Sequence, residues 1–406
     1  MTTPGSTMEG LAAVFDAALY RAVLARFGTT FGHDDAPWRA WPRAAAPAAL
    51  TRHDVVLLDG LVDGAEAGTD SDTGSDTGSD TGSAPLGTRV AAAGATLIAT
   101  VREGTRWIDT VHSPMGTWVL DSEAEGEAPH GPAFVAVLLA SLSMHFPAHD
   151  ALCIARAWQA GSLDWPADFA RFPCVRQPAL ASPARRPPPF APCPPDLGLY
   201  AVVPDAAWIE RLVPLAVPTV QLRFKSGDAA AVSAEVERAA RAAKAAAKGS
   251  TSRLFINDHW RVALDYHAAQ GGDSGIYGIH LGQEDLDEAD LDAIRASGLR
   301  LGVSTHGYAE MLRVAALAPS YLALGAIFPT TTKVMPTAPQ GMGRFQSYVR
   351  LMQPVIPSLV GIGGVNESNL REVLAVGVGS AAVVRAVTEA ADVAAAVARL
   401  KSMFER

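Results

Sequence analysis

Short apolar runs alternate with longer segments of helical periodicity from Leu199 to the end of the chain. The runs are LYAVVP, TVQLRFK, RLFIND, IYGIHLG, RLGVSTH, YLALGAIFP, SLVGIGG and SAAVVRAV. Runs of this length predict buried strands, and the segments between them predict amphipathic helices. Eight strands that each precede a helix predict an α/β fold of the (β/α)8 TIM-barrel type over residues 198–406. An open doubly wound sheet is the alternative, but no GxGxxG motif follows the first strand.

The chain before this barrel differs in composition and in its pattern of predicted strands. Residues 1–175 are alanine-rich and contain weaker strand candidates in HDVVLLDG, ATLIATV and GTWVLD, which predict a smaller accessory α/β domain. Residues 176–197 carry a dense run of prolines. Because proline fixes φ and removes a backbone donor, this run predicts a semi-rigid linker between two domains.

An acidic repeat lies inside the accessory domain. Residues 69–83 repeat the tetrapeptide Ser-Asp-Thr-Gly, which cannot bury apolar surface. We therefore predict a disordered acidic loop over residues 64–84. The spacing of the aspartates is compatible with calcium, but the repeat lacks the glycine and the bidentate glutamate of an EF-hand loop. A loop without a ligand is the favoured interpretation.

Composition narrows the classes of function. The 406 residues are 49% hydrophobic and carry a formal net charge of -9, which argues against a nucleic-acid or membrane-surface role. We therefore expect no nucleic-acid partner and no membrane partner, and a homo-oligomer is compatible with these features. Three cysteines without CxxC spacing, no secretory signal and no apolar stretch of about 18 residues predict reduced thiols and a cytoplasmic location.

Polar side chains concentrate where six consecutive predicted strands end. In a barrel of this type, that end carries the active site. The residues are Gln221, Arg223 and Lys225; Asn257 and Asp258; His280, Gln283 and Asp285; Ser304 and His306; Thr330, Thr332 and Lys333; and Gly361, Gly363 and Gly364. Their shared position on one face predicts a single site.

Each of these residues also has a plainer interpretation when taken alone. Arg223 and Lys225 alternate along a strand and could simply be solvated. Asp258 precedes a helix and could be its N-cap, and Asp285 could cap the helix that contains Leu291 and Ile294. His280 follows an apolar run, so a hydrogen-bonded core position is its favoured interpretation. The concentration at six strand ends is what favours a functional site.

The chemistry that these side chains share is the binding of anions. Arginine and lysine supply charge-assisted donors, and two carboxylates on adjacent strands suit Mg²⁺, which binds one or two carboxylates together with substrate phosphates. Without a metal, Asp258 and Asp285 would repel a phosphate. The set therefore predicts a diphosphate bridged by Mg²⁺. The glycines of GIGGV, with VVRAV after the last strand, predict a second phosphate pocket.

The motifs VQLRFK, FINDHWRVAL, GIHLGQEDL, GVSTH, GAIFPTTTK, GIGGV and AAVVRAV occur in the order and spacing of thiamine-phosphate synthases. Residues of about 199–402 resemble that family. The resemblance implies a TIM-type barrel that joins 4-amino-5-hydroxymethyl-2-methylpyrimidine diphosphate to 4-methyl-5-(2-phosphoethyl)thiazole or its carboxy form. The products are thiamine phosphate and diphosphate. Dissociative loss of the diphosphate followed by attack of the thiazole nitrogen requires no protein nucleophile.

The resemblance also implies roles for individual residues. Asp258 and Asp285 would hold Mg²⁺, and Gln221 would contact the pyrimidine. The diphosphate would be contacted by Arg223, Lys225, Asn257, Ser304 and Lys333. The thiazole phosphate would be bound by Thr330, Thr332 and the backbone of Gly364, Val384 and Arg385. Position 385 is often serine in that family and is arginine here.

Two other functions remain open for the barrel. One is a thiazole tautomerase-like enzyme, and the other is a non-catalytic sensor of thiamine precursors. The paired aspartates and FPTTTK favour the synthase.

The accessory domain has a fainter similarity. The segment from GTWVLD to ARAWQAG is similar to the end of hydroxymethylpyrimidine phosphate kinases of the ribokinase type. In that family a Gly-Thr-Gly-Cys turn begins a helix and forms an anion hole. Here HGPAFVA takes its place, and Pro132 and Ala133 supply neither the flexibility nor the thiol. We expect a degenerate kinase-like domain, with an unrelated accessory domain as the alternative.

Overall fold

The computed structural model describes residues 15–34, 38–59, 84–126, 128–176, 187–246, 252–330 and 338–405. The chain divides into two compact units, Met1–Ala181 and Ser182–Arg406. The predicted acidic loop lies outside the described residues except for Ala84, and residues 177–186 of the predicted linker also lie outside them. The predicted domain bounds therefore stay predictions.

The N-terminal unit is built on a six-stranded sheet with the strands in sequence order. The strands are β1 (Arg39–Pro42), β2 (Asp54–Asp59), β3 (Thr96–Glu103), β4 (Arg106–Ser113), β5 (Gly116–Glu123) and β6 (Cys174–Val175). The first three strands are parallel, and β3 to β6 are antiparallel. The three strands predicted from the sequence are β2, β3 and β5, and the sequence analysis missed the other three.

Within the described part of this unit, four α-helices accompany the sheet, namely α1 (Ala17–Phe31), α2 (Leu86–Ala93), α3 (Pro132–Ser143) and α4 (Ala148–Ala157). Helix α3 is buried along most of its length, from Val135 to Ser143. A helix that is apolar on every side requires neighbours on every side, which accounts for its central position in the unit.

A buried ion pair joins β4 to α4 within this unit. Arg156 donates to both carboxylate oxygens of Asp109, over 2.7 Å from Nε and 2.6 Å from its terminal nitrogen. Thr100 donates to the same carboxylate over 2.6 Å. The side chain of Asp109 is 0% exposed and that of Arg156 is 7% exposed. Each buried charge is therefore matched by an opposite charge and by hydrogen bonds, as burial requires.

The C-terminal unit is a closed barrel of eight parallel strands, which confirms the predicted TIM barrel. The strands are β7 (Gly198–Val203), β8 (Thr219–Leu222), β9 (Arg253–Asn257), β10 (Gly278–Leu281), β11 (Arg300–Thr305), β12 (Tyr321–Leu324), β13 (Leu359–Gly361) and β14 (Ser380–Val383). The first and last strands pair, with Gly198 opposite Ser380, and this pairing closes the barrel.

Helices follow the strands around the barrel. They are α5 (Ala206–Leu212), α6 (Ala229–Ala246), α7 (Trp260–Ala269), α8 (Gln283–Glu288), α9 (Leu291–Ala296), α10 (Tyr308–Ala315), α11 (Gly341–Met352), α12 (Leu370–Ala375), α13 (Arg385–Thr388) and α14 (Val393–Ser402). Over the ranges given above, none of the helices in either unit has both the length and the apolar character to cross a membrane.

Aromatic rings fill the interior of the barrel. Tyr200, Phe255 and Tyr321 belong to one buried cluster, and both tyrosines are at most 1% exposed. Gly302 on β11 lies directly against Tyr321, because a Cβ atom at this position would overlap the tyrosine ring. The glycine therefore makes room for a large side chain on the neighbouring strand.

Candidate active site

A cavity of about 1230 Å³ opens at the carboxyl ends of the barrel strands. Eleven of the thirteen residues to which the resemblance assigns a role line it, and the structure describes no others of that set. The eleven are Gln221, Arg223, Lys225, Asn257, Asp258, Asp285, Ser304, Thr330, Gly364, Val384 and Arg385. Of the described strand-end residues predicted to share one site, Gly361 does not line it. Thr332 and Lys333 lie outside the described residues.

Lys225, Asp258 and Asp285 form a charged cluster at one edge of the cavity. Lys225 donates to Asp258 in an ion pair, and the two carboxyl groups are joined by a hydrogen bond. Burial opposes ionisation of Asp258, but the hydrogen bond and the charge of Lys225 lower its pKa below the usual value. Burial and the charge of Asp258 raise the pKa of Asp285. The site therefore forces two carboxyl groups together at a cost in repulsion.

The backbone at Asp258 has an unusual conformation. Its φ is +62°, in the left-handed region that residues other than glycine rarely adopt. The carbonyl of His280 accepts a 3.0 Å hydrogen bond from the N–H of Asp258 and so fixes this conformation. Backbone strain of this kind is concentrated at functional sites, and here it directs a carboxylate toward Lys225.

The structure rules out the capping interpretations of the two aspartates. His259 occupies the N-cap position of α7, directly after Asp258. The cap of α9 is Asp290, which accepts a 2.9 Å hydrogen bond from the N–H of Ala293. Asp285 lies instead in the first turn of α8 and lines the cavity.

Two arginine side chains in the cavity wall have no bonding partner among the residues described. Arg223 follows β8 and is half-buried, whereas Arg385 begins α13 and is exposed. Neither guanidinium makes a hydrogen bond or an ion pair with any part of the chain whose placement is given. Unpaired cations in a concave site can bind an anionic group without first breaking a bond within the protein.

The loop after β13 provides a close backbone approach. Gly363 and Gly364 have φ values of +95° and +69°, and a Cβ atom at either position would collide with the chain that follows β12. The N–H of Phe328 donates to the carbonyl of Gly363 over 3.0 Å. Only glycine meets both constraints, so the loop can present its backbone to the cavity beside Thr330.

A chain of hydrogen bonds crosses the floor of the cavity. Gln221 Nε2 lies 2.9 Å from the Tyr200 hydroxyl, which lies 2.7 Å from the Tyr321 hydroxyl. His280 Nδ1 lies 2.7 Å from that second hydroxyl, and His280 Nε2 lies 2.9 Å from Ser304 Oγ. His280 is thus a buried hydrogen-bonded residue, as its position after an apolar run suggested, and it also lines the cavity.

Sequence reasoning missed two polar residues that contact His306, of which Glu310 also lines the cavity. Glu310 accepts from His306 Nδ1 over 2.9 Å, and Gln340 Nε2 donates to the carbonyl of His306 over 2.9 Å. Gln283 was noted at a strand end and proves to donate to the Ser304 carbonyl over 2.7 Å. Glu310 lies within a helix and Gln340 precedes one, so neither carried the strand-end signal.

The donor set suits a hard divalent cation better than a metal held entirely by protein. Among the described residues there is no group of three or more His, Cys, Asp or Glu side chains that could hold a metal ion. The pair formed by Asp258 and Asp285 remains. Mg²⁺ is characteristically held by one or two carboxylates, with waters and substrate phosphates completing its octahedron.

Comparisons with known proteins match the C-terminal half of the chain. The family model described as "Thiamine monophosphate synthase" matches residues 199–387. A thiamine-phosphate synthase of Neisseria meningitidis serogroup B is 50% identical over 216 residues, which are 53% of this chain and 98% of that protein. The thiamine-phosphate synthase of Pectobacterium atrosepticum is 48% identical over 219 residues, which are 53% of this chain and 96% of that protein.

A solved structure is similar over the same region. The thiamine phosphate pyrophosphorylase from Pyrococcus furiosus is 25% identical, with a TM-score of 0.42, over 52% of this chain and 96% of that chain. These matches concern the barrel. The kinase-like character of the N-terminal unit therefore stays a prediction.

Proposed function

The chain belongs to the thiamine-phosphate synthase family, and we propose that its barrel joins 4-amino-5-hydroxymethyl-2-methylpyrimidine diphosphate to 4-methyl-5-(2-phosphoethyl)thiazole or its carboxy form. The protein is an enzyme that forms thiamine phosphate from small-molecule substrates. One observation carries the finer proposal, namely that every described residue to which the resemblance assigns a role lines a single cavity.

The diphosphate is proposed to bind at the edge of the cavity formed by strands β8 to β11. Arg223 and Lys225 supply positive charge there, and Asn257 and Ser304 supply neutral hydrogen-bonding groups. Charge-assisted donors stabilise the leaving diphosphate more as its charge grows, which is the requirement for catalysis. Lys333, outside the described residues, would add a further cation.

A magnesium ion is proposed to be held at this edge by Asp258 and Asp285. Two carboxyl groups in contact, one with a pKa raised by burial and by the charge of the other, form a donor set that a divalent cation stabilises. When bound, Mg²⁺ neutralises charge on the diphosphate oxygens.

The reaction then needs little covalent chemistry from the protein. The C–O bond to the diphosphate breaks, the leaving group takes both electrons, and the amino group of the pyrimidine stabilises the cation. The lone pair of the thiazole nitrogen then forms the new C–N bond. Catalysis therefore comes from charge neutralisation and from positioning, with Gln221 contacting the pyrimidine.

The thiazole phosphate is proposed to bind at the opposite edge of the cavity. Thr330, the backbone of Gly364 and Val384, and the N–H of Arg385 line that edge, with Thr332 expected nearby. The loop formed by Gly363 and Gly364 supports close approach of an anion to the backbone. The Arg385 guanidinium adds a charge where serine is frequent in the family.

A single assay tests the proposal. The purified chain is given pyrimidine diphosphate and thiazole phosphate, and the release of diphosphate is followed with and without Mg²⁺. We expect release that requires both substrates and the metal. Release that persists after Mg²⁺ has been chelated would remove the metal from the mechanism, and the absence of any product at saturating substrate would contradict synthase activity. Tautomerisation of the thiazole without diphosphate release would instead favour the tautomerase.

Substitution of Arg385 tests the thiazole-phosphate site separately. We expect Arg385→Ala to raise KM for the thiazole phosphate roughly three- to tenfold, because an exposed charge-assisted contact is lost in a setting that solvent screens. The KM for the pyrimidine diphosphate should not change. Arg371→Ala is the matched control, because Arg371 is an exposed arginine on α12 outside the cavity. Equal KM values in the two variants would assign Arg385 to the solvated surface.

A further inference from the structure

We propose that Tyr200, Tyr321 and His280 form a directional hydrogen-bond chain that sets the orientation of Gln221 and Ser304 together. In this arrangement Gln221 presents a hydrogen-bond acceptor to the pyrimidine, and Ser304 presents a donor to the diphosphate. Tyr321 and His280, through which every path along the chain must pass, are positioning residues that determine specificity for an aminopyrimidine. This inference rests on the function proposed above and assigns to the floor of the cavity a role beyond packing.

The direction of the chain follows from counting protons. Gln221 Nε2 can only donate, so the Tyr200 hydroxyl accepts from it over 2.9 Å and must donate its own proton onward. Its other neighbour is the Tyr321 hydroxyl at 2.7 Å, which in turn donates to His280 Nδ1 over 2.7 Å. Each hydroxyl then donates once, and the Tyr321 hydroxyl accepts from both Tyr200 and the Gln221 amide, so no buried proton is left without a partner.

This direction also fixes the tautomer of His280. Because Nδ1 accepts from Tyr321, the ring proton is on Nε2, which donates to Ser304 Oγ over 2.9 Å. Ser304 thereby accepts within the floor, and its own hydroxyl proton is released toward the cavity. A serine that donates is what the negatively charged oxygens of a diphosphate require.

At the other end, the chain holds the Gln221 amide with its nitrogen toward the tyrosines. The Oε1 atom accepts no hydrogen bond from any of the residues that the structure describes, and Gln221 lines the cavity. An amide oxygen is the partner that an exocyclic amino group requires. The two ends of the chain therefore match the two ends of the proposed substrate.

Reversal of the chain would mismatch both ends at once. If the Gln221 amide turned over, Tyr200 would donate to Oε1, and each later bond would reverse until Ser304 donated to His280. The cavity would then present N–H groups to the pyrimidine and serine lone pairs to the diphosphate. A 4-oxopyrimidine would favour the reversed state at Gln221 but would lose the donor at Ser304. Because the hydrogen bonds in the floor are coupled, the wrong base weakens binding at the diphosphate site.

The packing around the chain keeps these atoms in place. Tyr200 and Tyr321 are at most 1% exposed, so their hydroxyls are shielded from bulk water, and His280 is 5% exposed. The ring of Tyr321 occupies the space that Gly302 leaves open on β11. Leaving a buried hydroxyl without a partner is unfavourable, which discourages mixed orientations along the chain.

Tyr321→Phe is the decisive variant, because it removes the central hydroxyl and leaves the ring. We would measure Kd by calorimetry for the diphosphate esters of the 4-amino and 4-oxo pyrimidines, with Mg²⁺ and without thiazole phosphate. The ratio of the two Kd values should fall at least about tenfold in Tyr321→Phe, because Gln221 can then turn over independently of Ser304. A ratio within threefold of that of the unaltered protein would overturn the inference, as would an equal loss of affinity for both ligands.

Tyr200→Phe is the matched control, since it removes the same atom from the same cluster. The Gln221 amide also hydrogen-bonds to Tyr321, so in this variant the chain can run directly from Gln221 to Tyr321. We expect the Kd ratio to stay within about threefold of the original value. An equal drop in both tyrosine variants would show general loosening of the core and contradict the directional chain.

A second measurement keeps the proposal testable if Tyr321→Phe does not fold. Ser304→Ala removes the far end of the chain, and the non-phosphorylated 4-amino and 4-oxo pyrimidine alcohols lack the group that Ser304 would contact. Coupling predicts that their Kd ratio still changes at least about threefold, and an unchanged ratio would overturn it.

Diphosphate release by the unaltered protein separates the two hypotheses: release with unchanged ratios contradicts only this inference, and no release contradicts the proposed function.

Discussion

Asp285→Asn should lower kcat/KM by at least about a hundredfold while leaving the free energy of unfolding unchanged or slightly increased. The loss of activity is expected because the variant lacks one of the two carboxylates proposed to hold Mg²⁺, and preorganised charge stabilisation of a leaving group typically contributes 10²–10³ in rate. The fold should not suffer, because burial and the Asp258 charge already raise the pKa of Asp285. A carboxyl group with a raised pKa opposes folding where it is ionised, so a neutral amide relieves that opposition.

Glu288→Gln is the control for this comparison. Glu288 lies on the same helix, α8, and is exposed outside the cavity. Glu288→Gln therefore makes the same change of charge at a position outside the proposed site. Steady-state kinetics over a range of Mg²⁺ concentrations and urea unfolding should be measured for both variants. Near-normal turnover in Asp285→Asn would remove this residue from the mechanism. A large loss of stability in the same variant would make it a structural residue instead.

Asp109→Ala should destabilise the N-terminal unit by about 3–5 kcal/mol. The substitution leaves the Arg156 guanidinium in a buried position without its carboxylate, and an uncompensated buried charge is among the most destabilising outcomes of a point mutation. Thr100 would lose one of its two side-chain hydrogen-bond partners as well. An N-terminal unit near the usual margin of stability would lose a large part of that margin.

Asp164→Ala breaks an ion pair of the opposite kind. Asp164 pairs with Arg26 over 3.1 Å, and the two side chains are 78% and 53% exposed, so we expect a loss below about 1 kcal/mol. Tryptophan fluorescence during urea unfolding reports mainly on this unit, because six of the eight tryptophans precede residue 182. Similar urea midpoints for the two variants would mean that water or a rearrangement compensates Arg156.

The barrel was predictable because its signals are local and repeated. Each of the eight strands has its own apolar run, and the polar residues that end those strands, such as Asn257 and Ser304, need no knowledge of partners. The N-terminal unit lacks this redundancy. Strand β4 reads RWIDTVHS, and its Asp109 looks exposed until Arg156, 47 positions later, is placed beside it.

The floor of the cavity was hidden from the sequence for a related reason. Tyr200 and Tyr321 begin apolar runs and look like ordinary core residues. Their hydroxyls acquire meaning only when β7 and β12 are brought face to face across the barrel, 121 positions apart. Local patterns identify which side chains point inward, and closure of the sheet determines which polar atoms meet.

The pairing of β7 with β14 has a consequence for synthesis on the ribosome. The barrel cannot close until Ser380 and its neighbours have emerged, because the first strand has no other partner on that side. The N-terminal sheet, by contrast, is complete in sequence by Val175. At ordinary elongation rates of about 5–20 residues per second, the remaining chain takes roughly 10–50 s to make. We therefore expect the N-terminal unit to be protected from protease on nascent chains that still carry an open, chaperone-accessible barrel.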